Sequence, residues 1–261
     1  MRLSVENVYQ KYGDFDVLND ISFSSGSGEV VALLGPNGSG KSTLIKTICQ
    51  LLPPSSGQVT VNGESLSDID PTERAKLIGY VPQSFNYASF TTVLDTVLIG
   101  RRPYVQWSYS DEDLDMASKA LETMNIINLR DKFINELSGG QRQRVFIARA
   151  LTQDPHFYLF DEPTSSLDLR HQLRTMKIMR KLVRSEGCGM IIATHDLNLV
   201  LRYADRVVVL KDNRVYAFGR PEDVLTPTTV HEVYGVESSI VKSEQGLFIL
   251  PYDSSDEPFD A

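Results

Sequence analysis

Three short stretches carry side chains suited to handling a polyphosphate. Gly35 to Ser42 read GPNGSGKS, which fits G-x-x-x-x-G-K-[ST]. The apolar run EVVALL leads into it and the helical pattern TLIKTICQLL follows, the strand–loop–helix context that this motif requires. Glycines let successive backbone amides curl around phosphate oxygens, so Gly35, Pro36, Asn37, Gly38, Ser39, Gly40 and Thr43 are expected to frame a bound nucleotide. Lys41 would reach the β and γ phosphates, and Ser42 would offer its hydroxyl to Mg2+. The second stretch, FYLFDEPTSSLD, covers residues 157–168. A strand ending in Asp161 delivers a metal-holding carboxylate, and Glu162 beside it can take a proton from an attacking water. Alone, an Asp-Glu pair could be a solvated helix cap. Together with a phosphate loop it reads as hydrolysis.

The third stretch is LSGGQ, residues 137–141, at the head of a helix-spaced apolar run (Val145, Ile147, Ala148, Leu151). ATP carries about -4 charges, against about +2 from Mg2+, about +1 from Lys41 and about +0.5 from one helix N-terminus. The nucleotide is left under-compensated. A second helix N-terminus, with Gly139 and Gly140 permitting close backbone approach, would supply the missing charge. Ser138 and Gln141 also fit a capping box, which needs no ligand. A cap does not need two glycines between its ends, and that favours anion binding.

These residues need a scaffold of buried strands and covering helices. Glu29–Leu34, Phe157–Phe160, Met190–Thr194 and Val207–Leu210 read as buried strands, and the longer amphipathic runs between them favour an α/β fold with a mainly parallel sheet. LSVENVYQKYG and GQVTVNG read instead as antiparallel strands closed by glycine turns. From Ser110 the run SDEDLDMASKALETM spaces Leu114, Ala117, Leu121 and Met124 as a helix, with Ser110 and Asp113 as its capping pair. Four segments follow: 1–84 with the phosphate loop and an antiparallel part, a mostly helical insertion at 85–155, a second core part at 156–235, and an extension at 236–261. The last residues, PYDSSDEPFDA, read as a frayed tail.

The 261 residues are 41% hydrophobic, enough for a sizeable core, and the formal charge is -8 without any basic block. That gives nucleic-acid binding little electrostatic support. No run approaches the ~20 apolar residues of a membrane span, and MRLSVENVYQ lacks the apolar core of a secretory signal. Membrane association would therefore come through a partner. Cys49 and Cys188 form no paired motif and read as isolated buried thiols in a reducing cytoplasm. His156, His171 and His231 suggest no zinc site.

In this order, phosphate loop, LSGGQ, FDEPTSSLD and the later ATHD resemble the ATP-binding cassette ATPases over about residues 1–235. In that family two cassettes pair head to tail, so the resemblance implies that Ser138 and Gly140 act on the nucleotide of a second copy of the chain. It also implies that Tyr12, in KYG, stacks on adenine, and that Gln83, in YVPQ, touches Mg2+ and the attacking water. Asp168 would couple the two sites, and His195, in IIATH, would contact the γ-phosphate.

GYVPQ, TVLDTVLIGRRPY and LDLRHQ are further similar to the ATPases of importers for metal chelates such as iron-siderophores, haem and cobalamin, a group with oxyanion-carrying relatives. The resemblance implies integral membrane permease subunits as partners, a periplasmic or extracellular substrate-binding protein acting indirectly, and a place at the cytoplasmic face of the membrane. The segment from Ser84 to about Trp107 would dock the permease, with Phe85, Tyr87, Phe90 and Trp107 either lining the docking groove or serving as core aromatics. Two other readings remain open here. One is a soluble cassette ATPase that remodels a cytosolic assembly, and the other is an ATP-sensing module. The intact set of Glu162, Gln83 and His195 speaks against the latter.

Overall fold

The computed structural model describes residues 1–83 and 90–252. The chain opens with β1 (Arg2–Tyr12), β2 (Phe15–Gly26) and β3 (Val30–Leu34), then passes through the phosphate loop into α1 (Lys41–Ile48). Next come β4 (Ser56–Val61), β5 (Glu64–Ser65), α2 (Pro71–Leu77) and β6 (Ile78–Val81). Among the described residues, the α-helices before the next strand are α3 (Val93–Leu98), α4 (Asp111–Thr123) and α5 (Gly139–Gln153). The second half alternates β7 (Phe157–Asp161), α6 (Leu169–Glu186), β8 (Gly189–Ala193), α7 (Leu197–Tyr203), β9 (Arg206–Lys211) and β10 (Arg214–Gly219). It ends with α8 (Pro221–Val224), α9 (Pro227–Tyr234), β11 (Glu237–Ser243) and β12 (Gly246–Tyr252).

Six strands form the central sheet in the order β10-β9-β3-β8-β7-β6. All its pairings are parallel except β10 on β9. All residues of β3, β7 and β8 are buried, as strands covered on both faces must be. That explains why they read as unbroken apolar runs. The remaining N-terminal strands form an antiparallel sheet, β2-β1-β4-β5. One apolar cluster, built on Leu3, Ile21, Leu44, Ile48, Phe157 and Ile191, fills the space between the two sheets and around α1. Asn213 Nδ2 donates to Asp16 O (2.7 Å) and Asn19 N donates to Asn213 O (2.8 Å). These bonds tie the β9–β10 turn to β2 beside the phosphate loop.

Between β6 and β7 the described chain is helical, and α5 packs on both α3 and α4. Ser110 and Asp113 form a full capping box on α4. Ala117, Leu121 and Met124 are buried as their spacing predicts, but Leu114 is exposed. Its place on the inner face goes to Asp113, which the neighbouring Arg101 draws inward by a 2.7 Å ion pair. Arg101 also donates to Thr152 O (3.2 Å) and lies 4.0 Å from the Tyr104 ring. The structure closes β11 and β12 into a hairpin, so Pro251 and Tyr252, read as the start of a frayed tail, belong to a strand. Ile249 is buried, and its backbone exchanges two hydrogen bonds with the Asn198 side chain of α7 (2.9 and 3.1 Å). Single strands with mixed burial leave little periodicity to detect. Cys49 and Cys188 are both free and buried, and no described helix is long and apolar enough to cross a membrane.

Candidate functional site

The phosphate loop leaves β3 at Leu34 and enters α1 through Gly40, whose left-handed φ of +96° puts the first amides of α1 toward the loop. No side chain caps α1 and no acidic residue occupies its first turn. Its amides are therefore available to an anion. A cleft of about 440 Å³ opens in front of them, lined by Asn37, Gly38, Gly40, Lys41, Ser42 and Thr43 together with Val17, Gln83 and Glu162. That size falls in the ordinary range for small-molecule sites. Gly35 and Pro36 stand behind the lining, where their carbonyls accept from Lys41 Nζ at 2.7 and 2.9 Å. Ser39 is buried within the loop. Burial pulls the Lys41 ammonium below its ordinary pKa, while the charges of Glu162 and Asp161 oppose the shift.

Asp161 ends β7 with only 2% exposure, and its Oδ1 accepts from Ser42 Oγ at 3.0 Å. Burial raises its pKa above the usual carboxylate range, with the Ser42 bond opposing and the neighbouring Glu162 charge adding to the rise. A desolvated carboxylate next to a hydroxyl is a hard-oxygen pair suited to Mg2+. Those two residues therefore fit the expected ion.

Glu162 follows in the left-handed region at φ +49°, where a non-glycine residue is strained. Its amide donates to Ala193 O at 3.0 Å, anchoring the turn on the end of β8. Its side chain is bracketed: Gln83 Nε2 donates to Oε2 at 2.7 Å, and His195 Nδ1 lies 3.8 Å from Oε1. Gln83 leaves β6, Glu162 leaves β7 and His195 leaves β8, so three adjacent parallel strands deliver the three groups to one end of the sheet. Ligands in open α/β sheets bind at that end. Tyr12 is half-exposed at the tip of the β1–β2 hairpin, paired in register with Phe15. Two residues further along β2, Val17 lines the cleft. Sequence reasoning missed Val17 because a strand valine carries no chemical signal.

Ser138, Gly140 and Gln141 lie apart from that cleft, in a pocket of about 330 Å³ shared with Arg144, Ser166, Leu167, Asp168 and His171. Both readings of LSGGQ meet here. The capping box forms, with Ser138 Oγ accepting from Gln141 N (3.3 Å) and Gln141 Oε1 from Ser138 N (2.9 Å). A Cβ on Gly139 would touch nothing closer than Ser166 Cβ at 4.0 Å, and one on Gly140 would make only ordinary contacts at 3.4 Å. Within this chain, then, neither glycine is forced by crowding. Asp168 lines this second pocket too, its carboxyl held below the usual range first by the backbone N–H of His171 and then by the His171 ring. Arg144 and His171 are pocket residues to which the motifs assigned no role. Phe90 and Trp107 are 86% and 97% exposed, which excludes a core role for either. Phe85 and Tyr87 lie outside the described residues.

The sequence model of the ABC transporter family matches residues 18–165. An uncharacterized ABC transporter ATP-binding protein of Methanocaldococcus jannaschii is 44% identical over 92% of this chain and 94% of its own length. A probable siderophore transport system ATP-binding protein of Bacillus subtilis, YusV, is 35% identical over 95% and 90%. The hemin import ATP-binding protein HmuV of Rhizobium meliloti is 37% identical over 92% and 94%. Among solved structures, an inward-facing transporter described as of metal-chelate type superposes with a TM-score of 0.84 at 29% identity, covering 97% of this chain and 98% of that one. A dimeric ABC transporter cassette superposes at 0.78 and 31% identity, covering 84% and 98%.

Proposed function

The chain belongs to the ABC transporter family of ATPases, and from that premise we propose that it is the ATP-hydrolysing subunit that energises import of a metal chelate through a separate membrane permease. The cargo class is siderophore, haem or cobalamin, as in the names of its relatives. The observation that carries the reading is the clustering of Gln83, Glu162 and His195 at the mouth of the phosphate-loop cleft, with the LSGGQ pocket set apart from it. A chain that holds both halves of a site but cannot join them calls for a second copy, and a dimeric cassette among its structural neighbours supports that arrangement.

In this reading Glu162 takes a proton from the attacking water, while Gln83 and His195 hold that water and the reacting phosphate in line. Lys41 would leave the loop carbonyls for the phosphate oxygens, and the amides of α1 stabilise the charge that develops on them. Ser42 and Asp161 would hold Mg2+, with Gln83 beside them, and the ion would supply charge neutralisation to the phosphates. Tyr12 would stack on the base. Ser138, Gly139, Gly140 and Gln141 would face the partner's nucleotide, with Asp168 coupling the sites. In this reading the expected helical insertion, 85–155, would be a lobe beside the core segments 1–84 and 156–235, and of the expected extension, 236–261, the described part packs on the core through α7 and α9. Exposed Phe90 and Trp107 would meet the permease, which holds the subunit at the cytoplasmic face of the membrane and couples it to a substrate-binding protein beyond.

The test is to tag the chain in its native cell, solubilise membranes gently and identify what co-purifies. A stoichiometric multi-spanning permease is expected. Recovery only with a cytosolic assembly would overturn the transport reading and leave the nucleotide chemistry standing.

A further inference from the structure

The segment from Glu162 to Asp168 joins the two sites. Its first residue lines the phosphate-loop cleft, and Ser166, Leu167 and Asp168 line the LSGGQ pocket. Its internal hydrogen bonds are short-range: Ser165 Oγ donates to Glu162 O (3.0 Å) and Leu167 N to Thr164 O (3.1 Å). Bonds of that range shape a turn but do not orient it on the helix that follows. Orientation comes from two side chains in the first turn of α6, both within the LDLRHQ stretch. Gln172 Nε2 donates to Thr164 O at 3.2 Å. His171 meets Asp168 in three ways. Its backbone N donates to Oδ1 at 2.9 Å, and its ring Nδ1 lies 2.8 Å from Oδ1 and 2.9 Å from Oδ2.

An aspartate N-cap needs only the backbone bond. The ring contact is additional. Facing a carboxylate, Nδ1 must carry the proton, so one tautomer or the imidazolium is selected. We propose that His171 is a positioning residue of the ATPase. Through Nδ1 it fixes the Asp168 carboxylate, and with Gln172 it holds Glu162–Asp168 as one strap between a chain's own nucleotide cleft and the pocket offered to its partner. The proposal rests on the dimer reading above. It is separable from helix stability, because the cap bond uses the backbone N–H of residue 171 and survives replacement of that side chain by alanine or asparagine.

The experiment compares His171→Ala and His171→Asn with the wild type in steady-state ATPase assays. Loose positioning lowers kcat more than it raises KM. His171→Ala should lose about tenfold in kcat with KM within about twofold, at an unchanged melting temperature. His171→Asn, whose amide can donate to the same carboxylate, should recover at least about half of kcat. Wild-type kcat in folded His171→Ala, or equal losses in the two folded variants, would overturn the proposal. Should His171→Ala fail to fold, His171→Phe replaces it: it keeps the bulk of the ring, the backbone cap bond and the Asp168 carboxylate, and removes the donor. A loss of kcat matching the tenfold expectation supports the strap, and wild-type kcat overturns it. The dimer reading is judged separately, by whether Glu162→Gln dimerises with ATP.

Discussion

Glu162→Gln exchanges one carboxylate oxygen for an amide nitrogen at the same side-chain length. In the structure Oε2 accepts from Gln83 at 2.7 Å and Oε1 faces His195 at 3.8 Å. A glutamine can keep its oxygen on Gln83 and turn its amide toward the imidazole, so the cleft retains its shape. It cannot accept a proton. Losing a general base costs about 10²–10⁴ in rate, or about 3–5 kcal/mol of barrier. The same change removes a negative charge from a cleft in which Glu162 and Asp161 both act on Lys41. At an effective dielectric of about 20, a unit charge a few ångströms beyond direct contact is worth about 2 kcal/mol before screening. Solvent at the open cleft reduces that to about 1 kcal/mol, so ATP affinity should hold or tighten by up to about fivefold. Phosphate release at saturating Mg2+-ATP, alongside equilibrium binding of a fluorescent ATP analogue, separates the two effects. The expected result is a kcat at least about 100-fold lower with affinity equal or higher. A kcat within about threefold of wild type would refute the base assignment. A matching loss of affinity would instead make Glu162 a nucleotide ligand.

Two further perturbations probe the scaffold. A Cβ at Gly40 would lie 2.7 Å from Val17 O and 2.8 Å from Leu18 Cδ2 at φ +96°, so Gly40→Ala should cost about 2–4 kcal/mol in urea unfolding and weaken ATP binding at least about tenfold. Wild-type stability and binding would show that the loop does not depend on that close approach. Arg101→Met leaves the buried Asp113 carboxylate without its ion pair and should cost about 3–5 kcal/mol, whereas Arg101→Met/Asp113→Leu should be more stable than the single variant. A double variant no better than the single would contradict the pairing. The Arg101 guanidinium holds the Asp113 carboxyl below its ordinary pKa. Its contribution is thus complete above the unfolded value of about 3.9 and fades as pH falls through the lowered folded value, so Asp113→Asn should flatten the acid limb of a melting-temperature profile.

Several parts of this molecule announce themselves in one dimension because one local pattern specifies each. The phosphate loop is contiguous, and β3, β7 and β8 are continuous apolar runs because both their faces are covered. The capping boxes at Ser110 and Ser138 also rest on spacing alone. What was hidden depends on distant partners. Leu114 reads as core until Arg101 supplies a reason to bury Asp113 in its stead. The bracket around Glu162 needs three strands to be adjacent in the sheet, an order the sequence does not spell out. Val17 becomes a lining residue because β2 is held beside the loop, in part through Asn213. The C-terminal hairpin escaped notice because its one deeply buried apolar residue, Ile249, is held by a side chain of α7, Asn198.

In the proposed dimer, the LSGGQ pocket of one chain completes the nucleotide site of another. Light scattering of Glu162→Gln at saturating ATP tests it most directly, compared with the same protein carrying Ser138→Arg. A single chain weighs 29.2 kDa. A dimer, twice that mass, is expected for Glu162→Gln with ATP. For Ser138→Arg in that background the expected species is a monomer that still binds ATP through its intact phosphate loop. A dimer in both, or in neither while ATP is bound, would contradict that arrangement.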